Sequence, residues 1–132
     1  MIKLEKKESI YFLTMDAGEN RWNTTFVREI AKALDTIEDD EGPGALITSA
    51  TDSKFFSNGL DLDWMQAPED YPDGGDREVF GEEFMYLMGR FITLPIPTIC
   101  ALNGHTFGAG FMFALSHDFR IMREDRGFIC AN

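Results

Sequence analysis

Basic residues are scarce in this chain: 12 Lys and Arg stand against 23 Asp and Glu, a formal charge of −11 at pH 7. A polyphosphate partner needs clustered cations, so the balance argues against a nucleic-acid surface. Cysteine is equally thin. Cys100 and Cys130 form no CxxC pair and lie in apolar, strand-like runs, which points to buried reduced thiols and a reducing compartment rather than to a disulfide. The two histidines, His105 and His117, have no HxxH or HExxH partner, so each is expected to be structural and no metal is expected. The opening "MIKLEKKESI" is charged throughout and lacks the apolar core of a signal peptide. A charge-free stretch from Phe91 to His117 has the length of a bilayer span, yet Pro95, Pro97, Asn103, Gly104, His105, Gly108 and Gly110 interrupt it, and no membrane span is expected.

What is present is enough apolar residue, 44% of 132 positions, to build one globular core. "IYFLTM" (Ile10 to Met15) reads as a strand, with a hairpin partner around Ile2 to Glu5. Phe26, Val27, Ile30, Ala33, Leu34 and Ile37 then recur at helical spacing behind an N-cap at Asn23 or Thr24. The acidic cluster from Glu38 to Gly44 ends that helix as a solvated turn, and "ALITSA" (Ala45 to Ala50) is a buried strand of the parallel type. Gln66 to Asp76, rich in Pro, Gly and Asp, reads as a surface loop or lid. A second helix carries Val79, Phe80, Phe84, Leu87, Met88 and Phe91 as far as the Pro95-Ile96-Pro97 break, and "TICALN" follows as a strand. Strand and helix alternate after the hairpin, which predicts a layered α/β fold without linker or internal repeat.

Two glycine turns concentrate the chemistry. In each, an apolar strand (Lys54 to Ser57; Thr98 to Leu102) leads through glycine (Asn58-Gly59; Gly104 to Gly110) into a helix expected from Leu60 onward and from Ala109 to Ser116. Such a turn leaves the first helical N–H groups unpaired, free to meet an anion or an oxyanion. Neither turn is a nucleotide fingerprint: GxxxxGK[ST] is absent, and Gly108-Ala109-Gly110 lacks the third glycine of the dinucleotide pattern. From the residues alone, tight packing explains these glycines equally well.

"FFSNGLDLDWM", followed by "LPIPTICALNGHTFGAGFMFALSHDFRIM", resembles the crotonase superfamily of enoyl-CoA hydratases and isomerases. The pairing of "SNGLDL" with "ALNGH" and the residues after it is most similar to the plant-type peroxisomal Δ3,Δ2-enoyl-CoA isomerases. The resemblance implies a crotonase-like (ClpP/crotonase) α/β fold of ββα units, of which residues 1–132 would be the N-terminal part of one domain, incomplete at its C-terminal end. It also implies an acyl-CoA thioester substrate of fatty-acid β-oxidation, no cofactor beyond the coenzyme A of that substrate, a homo-oligomer (trimer or hexamer), and a peroxisomal location, with cytoplasm or mitochondrion as alternatives. Matched motif to motif, the backbone N–H groups of Leu60 and Ala109 would form the oxyanion hole, supported by Gly59, Gly108 and Gly110. Asn58, Asp61 and Met112 border the two motifs as further candidates for substrate contact. Arg21, in "ENRWN", matches the segment that lines the adenine and pantetheine path and is the candidate for coenzyme A, with a plain surface cation as its alternative.

Two departures from the family pattern carry weight. Hydratases place a glutamate where Met112 stands, and Met112 cannot transfer a proton, so the resemblance favours an isomerase over a hydratase. The later glutamate of the isomerases maps at or just after Asn132, so the 132 residues alone are expected to turn over little substrate and, with apolar faces uncovered, to self-associate. The second departure is acidic: Asp63 occupies the position of a coenzyme A-binding cation, with Glu69, Asp70, Asp73 and Asp76 nearby. The last three residues, Cys130-Ala131-Asn132, are not a peroxisomal address. Ser116-His117-Asp118 has the residue types of a catalytic triad, but sequential neighbours point in different directions, so no triad is expected; Asp118 matches a supporting carboxylate. A non-catalytic module that binds acyl-CoA or a protein partner is the alternative to an enzyme.

Overall fold

The computed structural model describes residues 1–68 and 74–131, so Glu69, Asp70 and Asp73 of the acidic loop, and Asn132, lie outside the described residues. Strands β1 (Ile2–Lys7) and β2 (Ile10–Met15) form the expected hairpin, antiparallel from Ile2↔Met15 to Lys7↔Ile10. Alternation along β2 buries Tyr11, Leu13 and Met15 on one face, as a half-buried strand requires. Helix α1 (Thr24–Glu38) starts at Asn23, whose Oδ1 accepts the Phe26 N–H at 2.9 Å, and all six of its predicted apolar positions are buried. The acidic turn is mostly exposed, but Asp40 reaches back to hydrogen-bond Lys6 and Tyr11.

Next come β3 (Ala45–Ala50), β4 (Phe55–Ser57), α2 (Leu62–Gln66), α3 (Phe80–Thr93), β5 (Thr98–Leu102), β6 (His105–Phe107), α4 (Ala109–Leu115), β7 (Phe119–Met122) and β8 (Ile129–Cys130). The larger sheet has the order β1-β2-β3-β5-β7 and is parallel beyond the hairpin; the smaller, β4-β6-β8, is parallel throughout. Parallel neighbours require crossovers, and the two sheets share them, so the chain winds between the sheets as it advances.

Two expectations are corrected. The first helix after glycine does not begin at Leu60: Leu60 bridges Trp22 as an isolated parallel pair, and α2 starts at Leu62 with Asp61 as its N-cap. Backbone pairing with a distant residue holds Leu60 extended against its helix-forming preference. The second turn is not one continuous loop from Gly104 to Gly110, because His105–Phe107 is a strand of the small sheet. The strand that feeds α4 is therefore β6, not β5.

The core joins these parts through aromatic contacts. Trp22, fully buried, meets Phe26 of α1, Phe84 of α3 and Phe113 of α4 edge-on, each at 5.0 Å between ring centroids. Such pairs contribute about 0.5–1.5 kcal/mol each beyond their buried area. Its indole N–H donates to Ser57 Oγ at 3.1 Å, tying this hub to β4. His117, also buried, places Nδ1 2.9 Å from the Phe113 carbonyl and Nε2 2.8 Å from Thr48 Oγ1. Ser116 donates to the Phe113 carbonyl, and the Asp118 carboxylate accepts from the Thr98 N–H and hydroxyl, so each of the three neighbours bonds to the surrounding structure. His105 is structural too, accepting the Phe128 N–H at Nδ1 and stacking between Phe107 and Phe128. Both cysteines are free thiols, Cys100 buried and Cys130 half-buried.

Candidate active site

β4 and β6 are adjacent parallel strands, so the turns that leave their C-terminal ends lie side by side; such ends are where parallel sheets gather ligands. Gly59 leaves β4 at φ +80° and Gly108 leaves β6 at φ +48°, ψ −116°, conformations that side chains resist. The two turns touch: a Cβ on Gly59 would lie 3.0 Å from the Phe107 carbonyl oxygen and 3.8 Å from the Ala109 nitrogen. Gly110 meets the same junction from the helix side, packed on Ser57 of β4.

The local hydrogen bonds set the direction of both candidate donors. The Trp22 N–H donates to Gly59 O at 2.8 Å, and the Asp61 N–H donates to Trp22 O at 2.9 Å. Neighbouring N–H groups of an extended segment point to opposite sides, so the Leu60 N–H faces away from Trp22. At the second turn, the Phe111 and Met112 N–H groups both donate to Gly108 O, and Gly108 donates to Cys130 O. Among the described residues, neither the Leu60 nor the Ala109 N–H has an acceptor.

Both residues line one cleft of about 590 Å³, with Asn58, Gly59, Leu62, Phe80, Gly81, Phe84, Met85, Phe107, Gly108, Met112 and Ala131. Ala131 directly follows β8, so all three strands of the small sheet deliver residues to it. The described wall carries no titratable side chain. Met112 stands half-exposed on it, an apolar group where a proton carrier could have been.

The other predicted residues run from this cleft to a polar rim beside it. Asn58 donates from Nδ2 to Glu19 at 2.8 Å, and its N–H to the Glu19 carbonyl. Asp61 accepts the Trp64 N–H as N-cap and the Asn23 amide at 3.3 Å, and lines a separate polar cleft of about 370 Å³ with Glu19, Arg21 and Glu29. Arg21 is engaged between Glu19 at 2.7 Å and Asp63 at 2.8 Å. Hydrogen bonds from Asn58 and then Arg21 hold the Glu19 carboxyl below the usual carboxylate range, and Glu19 in turn raises the guanidinium further. Arg21 and Asp61 therefore share a polar rim, while Leu60, Ala109, Asn58 and Met112 share the apolar cleft. The sequence reading misses Ser57, which donates to Asn20 O at 2.7 Å and accepts from the Gly59 N–H at 3.3 Å. Ser57's place directly before Asn58-Gly59 was the available signal. No three His, Cys, Asp or Glu side chains converge as metal ligands, and no helix is long and apolar enough to cross a membrane, among the described residues.

Paired antiparallel and parallel strands wound with helices around a small parallel sheet make this the crotonase fold. The same architecture occurs in the enoyl-CoA hydratase of Bacillus halodurans, with a TM-score of 0.84 at 18% identity, covering 97% of this chain and 51% of that one. Residues 5–131 match the enoyl-CoA hydratase/isomerase family model, and the chain belongs to that family. It is similar to the Arabidopsis thaliana protein named enoyl-CoA delta isomerase 2, peroxisomal, at 36% identity over 131 residues, 98% of this chain and 55% of the relative. Arabidopsis enoyl-CoA delta isomerase 3 is 34% identical over 132 residues, 98% of this chain and 54% of the relative. The chain thus spans about half the length of the curated relatives it matches.

Proposed function

We propose that these residues are the N-terminal part of one crotonase-like domain in a peroxisomal enoyl-CoA Δ3,Δ2-isomerase of fatty-acid β-oxidation. One observation carries the reading: the Leu60 and Ala109 N–H groups, both without acceptors among the described residues, line one apolar cleft at the ends of two adjacent parallel strands. The names of both Arabidopsis relatives support the isomerase assignment, and the name of isomerase 2 supports the location. A thioester carbonyl seated between the two donors develops negative charge when a proton leaves C2 of a 3-enoyl-CoA. Fixed donors stabilise that dienolate oxygen, each contributing about 10²–10³ in rate. Return of the proton at C4 gives the 2-enoyl thioester, so one proton moves and no atom is gained or lost. Hydration would need a group to activate water, and the side chain of Met112 offers none. The proton carrier on this reading is a carboxylate beyond position 132, since Asn132 carries no acid and Ala131 already lines the cleft.

The lack of titratable side chains on the described wall also favours a second reading, a module that binds acyl-CoA without turnover. The two are separated by presenting a 3-enoyl-CoA to the full-length protein and following the ultraviolet absorbance of the conjugated product. Conjugation is expected to appear, with hydration of 2-enoyl-CoA slower than isomerisation. Ala109→Pro tests the donor, because proline is tolerated at the first helical position and the lost N–H has no intrahelical acceptor. That variant should lose about 10²–10³ in kcat while still binding thioester. Faster hydration than isomerisation, or an Ala109→Pro enzyme with unchanged kcat, would sink the proposal.

A further inference from the structure

Gly81 occupies the first turn of α3, exposed and on the wall of the apolar cleft. A Cβ built there meets nothing within 4 Å, and its φ is not among the positive ones, so neither packing nor backbone conformation calls for glycine. Glycine is also a poor helix former. Gly89, two turns further along α3, is equally open but does not line the cleft. What distinguishes Gly81 is the space it leaves in the cleft.

The surroundings give that space a chemistry. Phe80 and Phe84 stack at 5.6 Å between centroids, and Trp64 braces Phe80 edge-on at the same distance, forming a rigid aromatic floor. Leu62, Met85 and Met112, exposed at 56%, 56% and 45%, converge on the cleft above it. Unbranched thioethers adapt to a flexible ligand, and their exposure leaves apolar area for a tail to cover. The geometry points to Gly81 as the determinant of acyl length: resting on the active-site reading above, the tail leaves the thioester between α2 and the first turns of α3, and Gly81 keeps that channel open to long straight chains. Any side chain at position 81 occupies the path that the distal methylenes take.

Binding of saturated thioesters tests this without relying on turnover. Affinities of coenzyme A and of its butyryl, octanoyl and dodecanoyl thioesters would be measured by calorimetry for the full-length protein and for Gly81→Leu, Gly81→Ala and Gly89→Leu. For the parent protein, Kd should fall by about fourfold per methylene buried. Gly81→Leu should lose at least tenfold in the dodecanoyl-to-butyryl affinity ratio, a ratio that a uniform loss of binding does not move. Gly81→Ala, whose added carbon touches nothing, should fold normally and reduce the same ratio by a few-fold. Gly89→Leu should keep the parent ratio. A parent protein with no length dependence, a Gly81→Leu profile parallel to the parent's, or an equal loss in Gly89→Leu would each overturn the inference. Length-dependent binding lost in Gly81→Leu, in a protein that shifts no double bond, would uphold it while refuting the isomerase.

Discussion

Adding one carbon to Gly110 should disturb both the stability of the domain and the placement of its candidate donor. A Cβ there would lie 2.4 Å from Ser57 Cβ and 2.5 Å from Ser57 Oγ. Ser57 is fully buried and its Cβ is fixed to strand β4, so there is no flexible end to swing aside. To restore ordinary contact α4 must lift by about 1 Å, and overpacking of this kind costs about 1–3 kcal/mol. Ser57 Oγ also joins Asn20 O, Trp22 Nε1 and the Gly59 N–H, and parting one of these bonds adds about 1 kcal/mol, for a total of about 2–4 kcal/mol. Because Ala109 sits next in the chain, its N–H moves too, and a displacement of about 1 Å in a catalytic group can cost about 10²-fold in rate. Urea denaturation of Gly110→Ala, Ser57→Gly and the double variant measures the clash directly. Ser57→Gly alone is destabilised because the Trp22 indole loses its acceptor, yet it also removes both atoms that the new carbon strikes. The double variant should therefore be more stable than the sum of the singles by at least about 1 kcal/mol. Strict additivity, or a Gly110→Ala protein within about 0.5 kcal/mol of the parent, would refute the reasoning.

Burial pushes His117 down to about 4, so the unfolded chain binds the proton first as pH falls. The stability this buried neutral ring contributes is complete above about pH 6.5 and is lost progressively toward pH 4, by up to about 3 kcal/mol. His117→Asn should flatten that part of a pH series of denaturation curves, and an unchanged slope would exclude His117 as its source. Asp118→Ala leaves the Thr98 N–H without its 2.8 Å acceptor and should destabilise by about 1–3 kcal/mol in the same assay, while the dodecanoyl-to-butyryl binding ratio stays at the parent value. Asp63→Asn frees one side of Arg21 and should tighten coenzyme A binding several-fold at low salt, less at high salt; no change would leave Arg21 a surface cation.

Much of the fold is legible from periodicity, because α1 and α3 bury their apolar stripes as the spacing demands and β2 alternates strictly. The misreadings fall where long-range pairing overrides local pattern. Leu60 has the neighbours of a helix start, but its conformation is set by Trp22, which no window around Leu60 contains. Strand β6 has only three residues within a glycine-rich run, and its partners β4 and β8 come from distant parts of the chain. The exposed Phe119 and Ile121 of β7 likewise show no inside–outside alternation. For the candidate site the limit is chemical. Backbone N–H groups leave no side-chain signature, so Leu60 and Ala109 emerge only from the glycines around them and from the resemblance those motifs carry. Phe80 and Phe84 fit the helical core pattern, and periodicity alone does not separate core from cleft wall; the structure places both on that wall.

On the proposed function, backbone donors also reconcile the charge of the chain with an anionic thioester. A chain of net charge −11 repels a phosphate-bearing thioester at long range, and its Arg21 is already engaged by Glu19 and Asp63. Repulsion between exposed charges is screened beyond about 8 Å at physiological ionic strength, so it bears on encounter more than on events inside the cleft. Within the cleft the described wall is uncharged, and the two N–H groups present fixed partial charges that do not titrate. Donors held at the developing oxyanion favour the charged state over the neutral carbonyl. On this reading the acidic surface and the anionic intermediate are compatible because different parts of the molecule meet them: side chains govern the approach, and the turns at Gly59 and Gly108 govern the chemistry.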